Sequence, residues 1–92
     1  MDWGIAGTGK IAHKFLNTIE KMEGERIVAV GSRRKESAEA FISPRTGIAA
    51  HESYSDLFRD QRVEAVYIAV PNTLHYALIK EALENGKHVL SE

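Results

Sequence analysis

Gly7-Thr8-Gly9-Lys10-Ile11-Ala12 separates a short apolar run, Met1 to Ala6, from a stretch of helical periodicity running from Ile11 to Met22. A glycine-rich turn between a strand and a helix is where an open α/β sheet cradles a pyrophosphate. The first glycine permits the tight turn, the second lets backbone approach the phosphates, and the small third residue lets the helix lie close on the strand. The helix N-terminus adds unpaired N–H groups and a positive dipole end. The spacing G-x-G-x-x-A is weak alone. Its place between a strand and a helix gives it meaning.

Outward from that turn the pattern alternates. Helix one carries Ile11, Phe15, Ile19 and Met22 on one stripe and is expected to stop near Gly24. Ile27 to Val30 is continuously apolar, as for a parallel strand buried on both faces. A second helix, Lys35 to Ile42, ends before Pro44, because a residue preceding proline avoids the α region. Ile48-Ala49-Ala50 makes a weak third strand, and Ser53 or Ser55 caps a short helix with Tyr54, Leu57 and Phe58. Val63 to Val70 is the clearest strand. Pro71-Asn72-Thr73 breaks it, with Thr73 as the expected N-cap of a helix facing inward through Leu74, Ala77, Leu78 and Ala82. Gly86 suits the left-handed residue that ends a helix, and Val89-Leu90 begins a fifth strand. Strict β-α alternation predicts an α/β fold: a doubly wound parallel sheet, Rossmann-like, with helices on both faces. A doubly wound sheet ordinarily has a sixth strand. The expectation is therefore one dinucleotide-binding domain over residues 1–92, truncated after strand five, with a substrate-binding and oligomerisation domain beyond it.

Composition narrows the class. Hydrophobic residues make up 43% and charged residues 27%, ordinary for a globular domain. The formal charge of −1 offers no basic field to nucleic acid or to an anionic membrane. The absence of cysteine excludes a disulfide framework and thiolate metal sites. No apolar run approaches the roughly 18 residues of a membrane span, and no secretory signal is visible. A cytoplasmic location is the default.

Candidate chemistry lies at the carboxyl ends of the expected strands. After the second strand come Ser32, Arg33 and Arg34, where an acidic residue would bind the adenosine ribose hydroxyls of NAD. A hydroxyl followed by guanidiniums suits a 2′-phosphate instead, so NADP is the expected cofactor, NAD the alternative, and Arg33 the favoured contact. Solvated arginines in a loop are the plain reading. After the fourth strand, Val70-Pro71-Asn72 and His75 would run along the nicotinamide half, although turn chemistry and helix capping also account for them. Lys10 leans toward phosphate or is simply solvated. His13, His51 and His88 lack metal-site spacing and read as helix-surface or strand-edge residues. Asp56, Asp60 and Glu64 read as an exposed acidic face, and Trp3 and Tyr67 as core or sheet-edge aromatics.

Four stretches in order resemble the N-terminal domain of the Gfo/Idh/MocA oxidoreductases. They are Gly4 to Ala12, Ala29 to Arg33, Tyr67 to His75, and Gly86-Lys87-His88-Val89-Leu90-Ser91-Glu92. The resemblance implies hydride transfer between a nicotinamide cofactor and a carbinol or carbonyl carbon of a sugar, polyol or diol. It implies that Gly7, Gly9, Lys10 and Ile11 hold pyrophosphate and that Ser32 and Arg33 meet the adenosine ribose and its phosphate; Thr8 and Arg34, beside them in the two turns, are further cofactor-binding candidates. Val70, Pro71, Asn72 and His75 would line the dinucleotide, with Glu92 beside the nicotinamide ribose. Val70 stands where many members have threonine. The family motif continues Glu-Lys-Pro, and that lysine is the usual proton donor, so no catalytic residue is expected within residues 1–92, and a substrate and homo-oligomer contacts are expected through the further domain. Two other readings share these residues: an NAD-dependent glycosidase on the same scaffold, and a non-catalytic nucleotide-sensing module.

Overall fold

The computed structural model describes residues 1–91 and holds one parallel sheet of five strands. In chain order the elements are β1 (Asp2–Ala6), α1 (Lys10–Glu20), β2 (Arg26–Gly31), α2 (Lys35–Ile42), β3 (Ala49–His51), α3 (Tyr54–Arg59), β4 (Ala65–Ile68), α4 (Asn72–Glu84) and β5 (His88–Ser91). The sheet order is β3-β2-β1-β4-β5, with every pairing parallel. From β1 the chain winds outward through β2 and β3, then crosses back to pair β4 on the other side of β1. That reversal opens a crevice at the carboxyl ends of β1 and β4, where open α/β sheets bind ligands.

Both faces are covered, as the expected doubly wound sheet requires. On one, α1 and α2 pack Ala12, Leu16, Ile19, Ala38 and Phe41 against Ile5, Val30 and Tyr67. On the other, α3 and α4 pack Leu57, Phe58, Leu78 and Ala82 against Ala6, Val28, Val66 and Ile68. Because strand side chains alternate, β1 and β2 feed both cores, which explains their unbroken apolar runs. Among the described residues, no helix is long and apolar enough to cross a membrane.

Several local expectations shift. In α1 the buried stripe is Ala12, Leu16 and Ile19, whereas Ile11 and Met22 are about half exposed and Phe15 lies at the margin. Two apolar stripes run side by side on this helix, and the one containing the small Ala12 comes closest to the sheet. Phe15 instead stacks on Tyr67, with ring centroids 4.0 Å apart, and takes the edge of Trp3 at 5.2 Å. The third strand begins at Ala49 and not Ile48, while the fourth covers only Ala65–Ile68 of the run from Val63 to Val70. Val63 and Val70 are buried by packing outside the ladder.

Helix ends follow their chemistry with one correction. The Ser53 hydroxyl accepts the Asp56 N–H at 3.0 Å and caps α3. Thr73 does not cap α4: the helix starts at Asn72 with Pro71 as its N-cap, and the Pro71 carbonyl accepts the Leu74 N–H at 3.0 Å. The turn therefore opens two residues earlier. Ala77 is exposed, so the inward face of α4 is Leu78 and Ala82 with Leu74 packed beside them. At its end Gly86 adopts φ +77°, its N–H reaching the Leu83 carbonyl and that of Lys87 reaching the Ala82 carbonyl, a Schellman closure.

Candidate functional site

The turn after β1 is shaped by backbone alone. Gly7 sits at φ +120°, a conformation that L side chains rarely adopt, and its N–H reaches the Gly31 carbonyl at 3.0 Å. Gly9 is the N-cap of α1, with no side chain to cap the helix and nothing within 4 Å of where a Cβ would sit. The start of α1 therefore has no side-chain cap, and the space beside Gly9 is open. Ala12, the third small residue of the motif, is fully buried against the sheet.

That turn forms one wall of a cleft of about 410 Å³, through Gly9, Lys10 and Ile11. The other wall is the β4–α4 connection: Ala69, Val70, Pro71, Asn72 and His75. The two walls are joined where the Ala69 N–H donates to the Ala6 carbonyl at 2.8 Å. His75 adds a 2.6 Å hydrogen bond from its Nε2 to the Val70 carbonyl. The exposed Ile11 is thus a lining residue of the cleft and not part of the core.

The expected residues fall into two groups. Gly9, Lys10, Ile11, Val70, Pro71, Asn72 and His75 share the cleft; Gly7 and Thr8 are in the turn but do not line the cleft. Ser32, Arg33 and Arg34 lie apart, at the tip of β2. Ser32 is buried, its N–H bound to the His51 carbonyl and its Oγ accepting the Arg34 N–H at 3.4 Å. Arg33 and Arg34 line a second depression with Lys35, Glu36, Glu52 and Asp56. Glu92 lies outside the described residues.

Charge in the second depression is partly committed. Arg34 pairs with Glu36 at 3.5 Å, and Asp56 pairs with Arg59 at 2.7 Å. The Arg59 hydrogen bond, helped by that of Ser53, keeps the Asp56 carboxyl below its ordinary range. Arg33 and Lys35 have no ion pair among the described residues, and neither has Glu52. Two free cations thus face one free carboxylate. Glu52, Ser53 and Asp56 were not among the sequence candidates. The missing signal is register: β3 pairs Gly31 with His51, which sets the residues following β3 beside the tip of β2.

Asp60 departs from the expected exposed acidic face. Its side chain is only 8% exposed, with His51 Nε2 at 2.9 Å and Arg62 at 3.0 Å. The Arg62 guanidinium holds the carboxyl far below the aspartate range against the opposing effect of burial, and His51 adds to it. Lys87 donates to the neighbouring carbonyls of Asp60 and Val63 at 2.9 and 2.8 Å. This cluster ties α3, β4 and β5 together. The spacing of His51 and Asp60 gave no sign of it.

A family model described as an oxidoreductase family with an NAD-binding Rossmann fold, Gfo/Idh/MocA, matches residues 1–92. An uncharacterized oxidoreductase of Rhizobium meliloti is 41% identical over 92 residues, covering 98% of this chain and 27% of that protein. A trans-1,2-dihydrobenzene-1,2-diol dehydrogenase of Xenopus laevis is 32% identical over 93 residues, covering 98% of this chain and 28% of that one. Among solved structures, a 3-ketoreductase from Actinomadura kijaniata in complex with TDP-benzene and NADP superposes with a TM-score of 0.92. It is 35% identical, over 99% of this chain and 29% of its own. The chain thus spans little more than a quarter of the length of these relatives.

Proposed function

Because the chain belongs to the Gfo/Idh/MocA oxidoreductases, whose model spans residues 1–92, we propose that it is the dinucleotide-binding domain of an NADP-preferring dehydrogenase or reductase. The observation that carries this is the two-walled cleft at the carboxyl ends of β1 and β4, with open space over Gly9 and uncapped N–H groups at the start of α1.

Each wall has its own task. The N–H groups of the first α1 turn, with Lys10, receive the pyrophosphate, since a helix N-terminus presents donors and a positive dipole to an anion. Gly9 matters because a Cβ there would occupy the space the phosphates need. Gly7 and Thr8 shape the turn. Val70, Pro71, Asn72 and His75 hold the nicotinamide half against the sheet. Ile11 closes the cleft with an apolar surface and keeps water from it.

Arg33 recognises the 2′-phosphate. It is the exposed guanidinium at the β2 tip without an ion-pair partner among the described residues, whereas Arg34 pairs with Glu36. Lys35 adds to the field. Ser32 supports the tip through its bond with the Arg34 N–H and contributes less directly, because it is buried.

When bound, the nicotinamide supplies or accepts a hydride; the protein's part is orientation. The substrate class is a carbinol or its carbonyl on a sugar, polyol or diol. This agrees with a diol dehydrogenase and a 3-ketoreductase among the relatives. The substrate-binding surface belongs to a further domain, for which the relatives' greater length leaves room, and the proton-transfer group is assigned to none of residues 1–92.

Titration with NADPH and NADH at one salt concentration tests this reading. NADPH should bind at least about tenfold more tightly, equivalent to ~1.4 kcal/mol for one added phosphate contact. Equal or tighter binding of NADH overturns the NADP assignment, and binding of neither overturns the domain's role.

A further inference from the structure

The depression at the tip of β2 has a second wall, and that wall is acidic. Arg33, Arg34 and Lys35 line it from the β2–α2 connection, while Glu52, Ser53 and Asp56 line it from the turn between β3 and α3 and from α3 itself. Arg34 pairs with Glu36 at 3.5 Å and Asp56 with Arg59 at 2.7 Å. The charges without an ion pair among the described residues are then Arg33 and Lys35 on one side and Glu52 on the other. The backbone on either side of Glu52 is fixed. His51 pairs with Gly31 across the ladder, and its carbonyl accepts the Ser32 N–H at 3.2 Å. Ser53 caps α3 through its hydroxyl, and its carbonyl lies 3.2 Å from where a Cβ on Gly31 would sit. The exposed Glu52 side chain can turn about its own bonds, but its Cα stays at the depression.

We propose that Glu52 is a specificity-determining residue outside the β2 tip: its carboxylate opposes the extra phosphate of NADPH and so limits how far that cofactor is preferred over NADH. The proposal rests on the dinucleotide-binding reading given above. A phosphate monoester is close to dianionic at neutral pH, whereas the ribose hydroxyl in its place is uncharged. A carboxylate across the depression therefore acts on one cofactor and hardly on the other, which is how a repulsive element sets specificity. Arg33 and Lys35 outweigh it, so NADPH remains the tighter ligand, by a narrower margin than the cations alone provide. Because these groups are solvated, the opposition amounts to a few-fold in affinity and weakens as salt rises.

The test titrates NADPH and NADH into the parent and into Glu52→Gln, which keeps the size of the side chain and removes its charge. Glu52→Gln should bind NADPH about threefold more tightly and NADH within about 1.5-fold of the parent, and Glu52→Lys should tighten NADPH about tenfold. The gain should shrink as ionic strength rises from about 0.05 to about 0.5 M. Glu23→Gln controls for net charge. That carboxylate is exposed in the turn between α1 and β2, at the other end of the strands, and its removal should leave both affinities within about 1.5-fold. An unchanged NADPH-to-NADH ratio in the Glu52 variants overturns the proposal. So does weaker NADPH binding by Glu52→Gln, an equal gain for both cofactors, or an equal gain from Glu23→Gln. Should one Glu52 substitution unfold the domain, the other decides. If the parent binds both cofactors and the ratio does not move, this proposal alone fails; if it binds neither, the reading beneath it fails as well.

Discussion

Gly7 and Ala69 meet backbone to backbone: a Cβ on the glycine would lie 2.4 Å from the Ala69 carbonyl oxygen. The glycine turn after β1 and the tip of β4 are therefore one assembly, with the cleft held open between fixed walls. The two motif glycines serve different ends. Gly7 is required by the backbone it abuts, whereas nothing in the fold crowds Gly9.

Alanine at the two positions should separate these roles. Gly7→Ala places a side chain at φ +120° against an immovable carbonyl, and is expected to cost at least about 2–3 kcal/mol of stability. Gly9→Ala meets nothing within 4 Å and has an ordinary φ of −85°, so its unfolding midpoint should stay close to the parent's. Its NADPH affinity should nevertheless fall by about tenfold or more. Urea unfolding and ligand titration of both variants check this, and a large stability loss in Gly9→Ala would contradict it.

Arg33 and Arg34 should differ although they are adjacent. Arg33→Ala is expected to weaken NADPH about tenfold or more while NADH changes little, since a charge-assisted phosphate contact contributes about 1.5–3 kcal/mol. Arg34 already pairs with Glu36, so Arg34→Ala should change NADPH affinity by less than about threefold. Titrations at two ionic strengths add a control: the Arg33 effect should shrink as salt rises.

The sheet, its alternation and the glycine turn were legible because each depends on local periodicity or on a residue with a special backbone role. The α1 stripe was not. Ile11, Phe15 and Ile19 repeat as regularly as Ala12, Leu16 and Ile19, and only the close approach of the sheet selects the small residue and turns Ile11 into the cleft. The site divided in the same way. Gly9 to Ile11 and Val70 to Asn72 could be found from strand ends, whereas Glu52 and Asp56 reach the Arg33 depression only through the β2–β3 register. Asp60 escaped for a similar reason, its burial being set by His51, Arg62 and the Lys87 ammonium from distant segments.

Asp60 carries a pH signature. Its folded-state carboxyl titrates far below the ordinary 3.8, chiefly through the Arg62 hydrogen bond. A carboxyl depressed in the folded state stabilises fully above the unfolded value, and that stability is lost as pH falls from about 4 toward the folded value. Asp60→Asn should thus be less stable than the parent by about 2 kcal/mol at pH 7 and pH 5. The gap should narrow at pH 3 and approach zero near pH 1. Urea unfolding of both proteins across this range measures it; a gap independent of pH would assign the loss to packing.

Leu57 offers a steric prediction with an internal control. It is fully buried and fills the space over two glycines of the sheet. A Cβ on Gly4 would lie 2.9 Å from Leu57 Cδ1, whereas one on Gly31 would lie 2.9 Å from Leu57 Cβ and 3.2 Å from the Ser53 carbonyl. Leu57→Ala should cost about 2–5 kcal/mol through the cavity it leaves. Gly4→Ala and Gly31→Ala should each cost about 1–3 kcal/mol through overpacking, with Gly31 the costlier because two of its neighbours, Leu57 Cβ and the Ser53 carbonyl, cannot swing aside. Combining each with Leu57→Ala distinguishes them. The truncation removes Cδ1 and Cδ2 but keeps Cβ, so the Gly4 pair should be less destabilised than the sum by about 1 kcal/mol, while the Gly31 pair, relieved only of Cδ2 at 3.2 Å, should fall short of the sum by less. Equal coupling in the two cycles would mean that the helix shifts as a body and that the contacts at its Cδ1 and Cβ do not act separately.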